Sequence, residues 1–305
     1  MSSSPPLRIA VLGAGNIGSA FAFQLARNGG HDVTAIARTA SRRLQQLERD
    51  HGIVNTKNER AEVHVADALD EQTSYDLLIV TLLAHQVDSV LPTLQRSAAR
   101  CVLFMFNNFD PERLRDAVSP ERCSFGMPFV QATIGVDGKI NATIGAGGQK
   151  TKINDQRWVD VFIAAGLPAV LEPNMLLWLR CHVPLCIAFE SVSVAGVRRG
   201  DGASWGEALV IARGMKESFK LIQRLGYKLY PSEKSLLSAG PVSVAAGMLW
   251  SMSRNKSFRE LLATGISECH SLVDVLVANA TQSNPPVSVA KIEAMKPSKG
   301  SSLIL

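Results

Sequence analysis

The chain has 305 residues, which is enough for two domains of ordinary size. Apolar residues make up 46% of it and charged residues 19%, so there is ample apolar surface to bury, and disorder of the whole chain is excluded. The net charge of +5 is modest, and no Lys/Arg run with interleaved aromatic residues occurs, so nucleic acid is not an expected partner. Residues 1–150 hold 15 basic and 15 acidic residues, whereas the rest of the chain holds 17 and 12. The positive excess of the second half suits an anionic small molecule.

Two further features concern the cellular location. No unbroken apolar run reaches the roughly 18–20 residues of a membrane span, and the start of the chain lacks the basic and apolar regions of a secretory signal. The cysteines are odd in number and lack C-x-x-C spacing, which predicts reduced thiols in a cytoplasmic protein without a metal site: Cys101, Cys123, Cys181, Cys186 and Cys269.

In the first half of the chain, short apolar runs alternate with stretches of helical spacing. The predicted strands are 7–12, 33–37, 63–66, 77–81 and 101–105, and the predicted helices between them include 17–25 and 87–94. Strands that alternate with helical connections are typical of an α/β fold, here a Rossmann-type doubly wound parallel sheet.

The pattern changes from about residue 125. Two alternating segments, 129–134 and 140–144, flank Asp137-Gly138 and predict a hairpin, which we expect to extend the sheet at one edge. Beyond Pro173 the chain is almost entirely helical in pattern, with apolar stretches at 175–197, 208–225, 242–252 and 257–280. We therefore expect a dinucleotide-binding domain over 1–172 and an all-helical substrate and dimerisation domain over 173–305. Part of the Pro- and Lys-rich tail from Asn284 is expected to be mobile.

A glycine-rich turn follows the first predicted strand. Gly13, Gly15 and Gly18 form G-x-G-x-x-G with Asn16 and Ile17 between them, and the next residues open a helix. The first glycine permits the tight turn, the second lets the backbone approach a pyrophosphate, and the third lets helix and strand pack closely. The helix N-terminus then offers free N–H groups to the phosphates, so the motif predicts a dinucleotide site.

The choice of dinucleotide depends on the end of the second strand. An NAD site usually has Asp or Glu there, whereas this chain has Arg38, with Arg42 and Arg43 close behind. A guanidinium is a planar, bidentate partner for a 2′-phosphate, so the sequence predicts NADPH. Arg42 and Arg43 have the alternative of solvating a helix face.

Polar residues also follow the fourth and fifth predicted strands, at the end where open α/β sheets bind ligands. They are Thr81, His85, Gln86, Asn107 and Asn108. Asn107 is the strongest of them, because an amide there can hydrogen-bond the nicotinamide or the substrate. His85 is equally consistent with a packing or capping role.

Together these features resemble the ketopantoate reductase family (2-dehydropantoate 2-reductase, ApbA/PanE). The resemblance rests on the glycine motif, Arg38, the segment Thr81-Leu82-Leu83-Ala84-His85-Gln86, Asn107, the hairpin and the helical second half. It implies an NADPH-dependent reductase that transfers hydride to the ketone of a 2-oxo acid. The cofactor-binding residues expected on this basis are Gly13, Gly15, Asn16, Ile17, Gly18, Arg38, Thr81, Leu82, Gln86 and Asn107.

The resemblance also shows where the chain departs from the family. Trp178 is present, but the family's catalytic Lys is Arg180 here, and its two helical Asn positions are Pro184 and Ala188. The usual Lys of the strand-four loop is Leu83. A substrate-binding glutamate corresponds to Glu268, and a preceding serine to Ser251 or Ser253.

The replacement of Lys by Arg changes the chemistry on offer. Arg stays protonated and is a poor general acid, but it binds a carboxylate bidentately, so Arg180 suits anchoring. His182 is the obvious alternative proton donor, although it also fits a core position. Glu190 is equally open between a solvated helix surface and a site role, and Pro184 is expected to kink the helix. The expected substrate-side residues are Arg180, His182, Glu268 and Asn107.

Three hypotheses follow. The first is an NADPH-dependent reductase acting on a small, anionic carbonyl or imine compound, with a homodimer as one possible assembly. The second is a non-catalytic NADPH-binding paralogue or sensor that has lost the catalytic Lys. The third is a related dehydrogenase acting on a larger, amino-acid-derived imine.

Overall fold

A computed structural model describes residues 5–263 and 265–297, which fall into two compact units. The first unit contains the chain up to Phe106 and Glu112–Met175. The second contains the short segment Asn107–Pro111 and the chain from Leu176 onward.

The described strands of the first unit are β1 Arg8–Leu12, β2 Asp32–Ile36, β3 Ile53–Val54, β4 Arg60–Ala61, β5 His64–Ala66, β6 Leu77–Val80, β7 Val102–Met105, β8 Cys123–Met127, β9 Val130–Ile134, β10 Ile140–Ile144, β11 Thr151–Ile153 and β12 Ala169–Leu171. Eight of them form a mostly parallel sheet in the order β12-β11-β8-β7-β6-β1-β2-β5. Within this sheet, the β8–β11 pair is antiparallel and the other neighbouring pairs are parallel. The central strands, β1, β6 and β7, are buried along almost their whole length, which explains their continuous apolar runs.

Helices connect these strands. They are α1 Asn16–Arg27, α2 Arg42–Asp50, α3 Ala84–Arg96, α4 Pro111–Val118 and α5 Gln156–Ala164. The apolar face of α1 carries Phe21, which packs edge-to-face on Phe162 of α5 at 5.1 Å between ring centroids. The Rossmann-type sheet predicted from the sequence is thus confirmed.

One prediction about the sheet is wrong. Strands β9 and β10 do form the expected antiparallel hairpin, but it is a separate two-stranded sheet. The hairpin packs on α1, where Val130 and Ile140 join the core of the unit. The edge of the main sheet is formed instead by β8, β11 and β12, which are too short or too irregular to give a clear alternating pattern.

The second unit is helical. It contains α6 Met175–Arg199, α7 Trp205–Arg224, α8 Ser232–Ala239, α9 Val242–Arg254, α10 Lys256–Leu262, α11 Ile266–Thr281 and α12 Val289–Glu293. The stretch 257–280, predicted as continuous, is therefore divided between α10 and α11. In the tail from Asn284, Ile292 and Met295 are fully buried and α12 packs on α7 and α11, so the tail is packed as far as this helix; the mobility expected of part of the tail stays a prediction. Residues 298–305 lie outside the described part.

Helix α6 runs unbroken through Pro184. It is long and apolar enough to cross a membrane by length and composition, and 67% of its most apolar window is buried in the protein. The helix pairs α8–α9 and α10–α11 would pass the same test only if each bent pair formed a single span. Arg180, His182 and Glu190 interrupt the apolar sequence of α6, so the helix contains no unbroken apolar run of the length of a membrane span.

Candidate functional site

The glycine turn of the first unit has the geometry that its sequence predicts. Gly13 has a φ of +103°, a conformation that favours glycine, and its N–H donates to the Ile36 carbonyl at 3.0 Å. The Thr81 hydroxyl at the end of β6 donates to the Gly13 carbonyl at 2.8 Å. The Thr81 hydroxyl thus stabilises the glycine turn by this hydrogen bond and is not presented free to a ligand.

The other two glycines differ in what surrounds them. A Cβ on Gly18 would lie 2.2 Å from the Gly13 carbonyl oxygen, so this position is closed by packing. A Cβ on Gly15 would meet no described atom within 4 Å, and Gly15 is exposed. Helix α1 begins directly after it, with no side-chain cap and no acidic residue in its first turn. This open, uncapped helix start is what a bound pyrophosphate requires.

The remaining residues of the motif have different surroundings. Asn16 is exposed, and its Oδ1 accepts a hydrogen bond from the Ile134 N–H at 3.1 Å, which ties the loop to the β9–β10 hairpin. Ile17 and Leu82 are half-buried. Gln86 is exposed and caps α3, because its Oε1 accepts from the Leu83 N–H at 3.0 Å.

The three arginines after β2 divide into different roles. Arg43 donates to the carbonyls of Ala14 and Gly138 and to the Ser19 hydroxyl, and its burial lowers its pKa to about 10. Arg42 donates to a carbonyl of the hairpin turn. Arg38 is exposed. Arg43 therefore braces the glycine loop, while Arg38 is the side chain presented to solvent beyond β2.

The second unit brings together two residues that the sequence singled out separately. Asn107 Nδ2 donates to Glu268 Oε1 at 3.0 Å, although the two are 161 residues apart. The other side of the amide is also bound, because Cys186 Sγ donates to Asn107 Oδ1 at 3.1 Å. Burial raises the pKa of Cys186 well above its usual value, with the charges of Glu190 and Glu268 adding to this. Cys186 is therefore a neutral donor that orients the amide toward Glu268.

Glu190 lies one turn beyond Cys186 on α6 and belongs to the same cluster. It is 8% exposed, its carboxyl group packs against Gly265, and its Oε2 has no hydrogen-bond partner among the described residues. Burial first, and the charge of Glu268 second, raise the pKa of Glu190 to about 9. Glu190 is thus not a solvated surface residue, and at neutral pH it holds a proton.

Arg180 is buried, with its side chain only 4% exposed. Its guanidinium carbon lies 3.8 Å from the centroid of the Tyr227 ring and 5.8 Å from that of Phe109, and a long ion pair of 3.9 Å joins it to Asp110. Arg180 thereby packs against the residues that follow Asn107.

His182 is half-buried and stacks on Trp178 with ring centroids 4.4 Å apart. Lys234 of α8 also contacts this tryptophan: its Nζ lies 4.4 Å from the ring centroid and donates to the Trp178 carbonyl at 3.2 Å. Lys234 is 7% exposed. Burial raises the pKa values of Cys181 and Cys186, and the charge of Lys234 opposes the rise at both thiols.

Two of the weaker candidates have structural roles. The Ser253 hydroxyl is fully buried, donates to the Trp250 carbonyl and accepts from the Ala203 N–H. Asn108 Oδ1 accepts from the Asp110 N–H. His85 and Ser251 are exposed.

Sequence reasoning missed Cys186 and Lys234 and left Glu190 open. A signal existed for two of them, because Trp178, His182, Cys186 and Glu190 follow one another at i, i+4 spacing and so form one ridge of α6. Lys234 had no comparable signal, since α8 was not predicted. Within 5–263 and 265–297, no group of three His, Cys, Asp or Glu residues is arranged to hold a metal ion.

Comparison with known proteins agrees with this geometry. The sequence model of the family "Ketopantoate reductase PanE/ApbA" matches residues 9–157. No curated protein sequence matches the chain. In fold, the chain is similar to a PanE/ApbA family ketopantoate reductase from Ralstonia eutropha (TM-score 0.71, 18% identity, 95% of this chain and 96% of that one). It is also similar to a D-mandelate dehydrogenase solved with NADH (0.70, 17%, 95% and 96%) and to a probable 2-dehydropantoate 2-reductase from Bacillus subtilis (0.67, 18%, 95% and 98%).

These matches define the class first: a Rossmann-type protein with a helical second half, a fold shared with solved oxidoreductases. The sequence match over 9–157 then shows that this part of the chain is similar to the ketopantoate reductase family. The resemblance inferred from the motifs is confirmed.

Proposed function

We propose that this protein is an NADPH-dependent reductase that transfers hydride to the carbonyl group of a small 2-oxo acid or to a related imine. Residues 1–172 would bind the cofactor, and residues 173–305 would bind the substrate. The observation that carries the proposal is the pairing of Asn107 with Glu268, because it unites the two polar residues expected to contact a substrate.

The glycine turn fits the cofactor. Gly15 leaves open the space that a pyrophosphate needs, and the uncapped start of α1 supplies N–H donors to it. Exposed Arg38 is the natural partner of a 2′-phosphate, whereas an acidic residue would repel one. When bound, NADPH supplies the hydride.

On the substrate side, the amide of Asn107 and the carboxyl group of Glu268 are the groups we expect to touch the substrate. Arg180 stabilises the segment Phe109–Asp110 that follows Asn107, so its role is to position that segment. His182 remains a candidate for substrate contact, because it is half-buried and lies one turn before Cys186 on the same ridge of α6. The excess of basic residues in the second half favours an anionic substrate.

The five free thiols support a cytoplasmic location. A homodimer is proposed as the assembly, and a ketopantoate reductase from Staphylococcus aureus with this fold (TM-score 0.65, 12% identity) is described as dimeric.

The cofactor assignment is tested by measuring the Kd values of NADPH and NADH by nucleotide fluorescence. Arg38→Asp should weaken NADPH about tenfold or more while changing NADH much less, since only NADPH carries the 2′-phosphate. Lys57→Asp is the matched control, because Lys57 is exposed and the substitution changes the net charge equally. An equal loss of both nucleotides in Arg38→Asp would show that Arg38 does not read the 2′-phosphate.

The reaction is tested by following NADPH oxidation against a panel of 2-oxo acids and cyclic imines. Turnover that is lost in Glu268→Gln, with the Kd of NADPH unchanged, would support the proposal. Tight NADPH binding without turnover across the panel would favour the non-catalytic hypothesis instead.

A further inference from the structure

Reduction of a carbonyl needs a proton as well as a hydride. Arg180 is buried next to the segment that follows Asn107, but a guanidinium does not give up a proton near neutral pH, so a different proton donor is needed.

We propose that Glu190 and Glu268 form a coupled pair of carboxyl groups that together hold one proton, carried by the buried Glu190, and that this pair protonates the oxygen or nitrogen of the reduced substrate. The proposal rests on the reductase function proposed above. In it, Glu268 touches the substrate and Glu190 acts through Glu268 as the proton reservoir.

The surroundings of Glu190 favour one shared proton. Cys186, on the same helix, is a neutral thiol, and from α11 the ionisable groups facing Glu190 are Glu268 and Cys269. Burial raises the pKa of Cys269 to about 12, so it too is neutral. The charge of Lys234 on α8 reaches Cys186 and is not a cause of the shift at Glu190. Ionised Glu190 would be a buried charge and would be repelled by the charge of Glu268, so Glu190 stays protonated.

The contacts of the two glutamates are consistent with proton transfer through Glu268. Glu268 Oε1 is occupied by the Asn107 amide, which anchors this carboxyl group next to the residue expected to touch the substrate. The Glu190 carboxyl group lies against Gly265, which directly precedes α11, the helix that carries Glu268, and its Oε2 has no hydrogen-bond partner among the described residues. A buried carboxyl group kept neutral at neutral pH is suited to donate a proton.

The step balances as follows. Hydride brings two electrons to the carbonyl carbon, and the π electron pair of the C=O bond moves onto oxygen. The oxygen takes the shared proton from the pair, which becomes doubly negative. A proton from water then restores the pair, driven by the burial of Glu190 and by its repulsion from the charge of Glu268.

The pair is tested in the full-length protein without cofactor by carbon NMR of side-chain-labelled glutamate. We expect one carboxyl resonance to titrate with a midpoint near 9, to vanish in Glu190→Gln and to shift to lower pH in Glu268→Gln. Glu217→Gln is the matched control, because Glu217 is an equally buried glutamate of the same unit whose carboxyl is hydrogen-bonded by Ser288 N–H and Lys291. A Glu190 resonance that titrates in the ordinary range of glutamate would overturn the pair, whatever the activity.

The catalytic role is tested by kinetics with the substrate found in the panel. Glu190→Gln should lower kcat by about 10²-fold or more, the ordinary size of a lost general acid, with KM and the Kd of NADPH little changed. In the wild type, kcat should fall as pH rises through about 9, and this limb should be absent from the residual activity of Glu190→Gln. Glu190→Asp, which keeps a carboxyl group, should recover part of the rate.

The outcomes separate this proposal from the proposed function. Full kcat in Glu190→Gln, together with the titration near 9, would show that the pair exists but donates no proton, and would overturn the proposal while leaving the reductase intact. A wild type that turns over no carbonyl or imine would reject the reductase and with it the proton donation, while the NMR titration still decides whether the carboxyl pair exists.

Discussion

Glu190→Gln should stabilise the folded protein, and the gain should grow with pH. The folded-state pKa of Glu190 is about 9, against an unfolded value of 4.5, so between these values the folded state keeps a proton that the unfolded state loses. The folded state therefore binds more protons, and the contribution of Glu190 to stability falls as pH rises from about 4.5 to about 9. Glutamine has the same shape and does not titrate.

The magnitude follows from linkage. Each pH unit within this window costs the wild type about 1.4 kcal/mol relative to the glutamine variant. Between about pH 5 and about pH 8, the difference in the free energy of unfolding should therefore grow by up to about 4 kcal/mol. This is an upper bound, because water entering the site lowers the penalty.

Urea unfolding at several pH values, followed by tryptophan fluorescence, measures the difference. Trp178, Trp205 and Trp250 all lie in the helical unit, so the signal reports mainly on the unit that contains Glu190. Glu217→Gln should behave in the opposite way. Burial opposes ionisation of Glu217, but hydrogen bonds and lysines lower its pKa overall, so its loss should destabilise the protein by a constant amount across this range. A Glu190→Gln gain that stayed flat between about pH 5 and about pH 8 would refute the assignment of a protonated Glu190.

Three further substitutions test other parts of the structure. Gly15→Val should abolish NADPH binding, because its side chain would fill the space of the pyrophosphate. The thermal midpoint should change little, because a Cβ at this position meets no described atom within 4 Å. Retained NADPH binding would contradict this site. Gly18→Ala should lower the free energy of unfolding by about 1–3 kcal/mol, because the added methyl group overpacks against Gly13. An unchanged midpoint in thermal unfolding would show that the loop moves to accommodate the methyl group. Arg180→Ala should lower the free energy of unfolding in urea by about 2–4 kcal/mol, because packing on Tyr227 is lost, and should change the Kd of NADPH little. A loss of nucleotide affinity at unchanged stability would argue against a positioning role.

Much of the first unit could be predicted because its signals are local. A buried parallel strand is a short apolar run, and the tight turn after β1 requires glycine at positions spaced for a phosphate. The position of Arg38 after β2 predicts that it binds a 2′-phosphate, and the nucleotide-binding experiment tests that prediction. The partner of the β9–β10 hairpin could not be predicted, because alternation shows that a strand has one buried face but does not show what covers that face. Helix α1 covers it.

In the helical half, periodicity predicted four long helical stretches but not the use of their polar residues. The sequence alone assigns Arg180 to substrate anchoring. It leaves His182 open between proton donation and the core, and Glu190 open between a solvated surface and a site role. In the folded chain, Arg180 packs on Tyr227 and His182 stacks on Trp178. Glu190 is buried near the charge of Glu268. Local pattern cannot reveal this, because the charge and burial that hold a proton on Glu190 come from α11, more than 70 residues further along the chain. The residue types and the dinucleotide motif are thus properties of the sequence, whereas the protonation state of the candidate site exists only once distant helices have packed together.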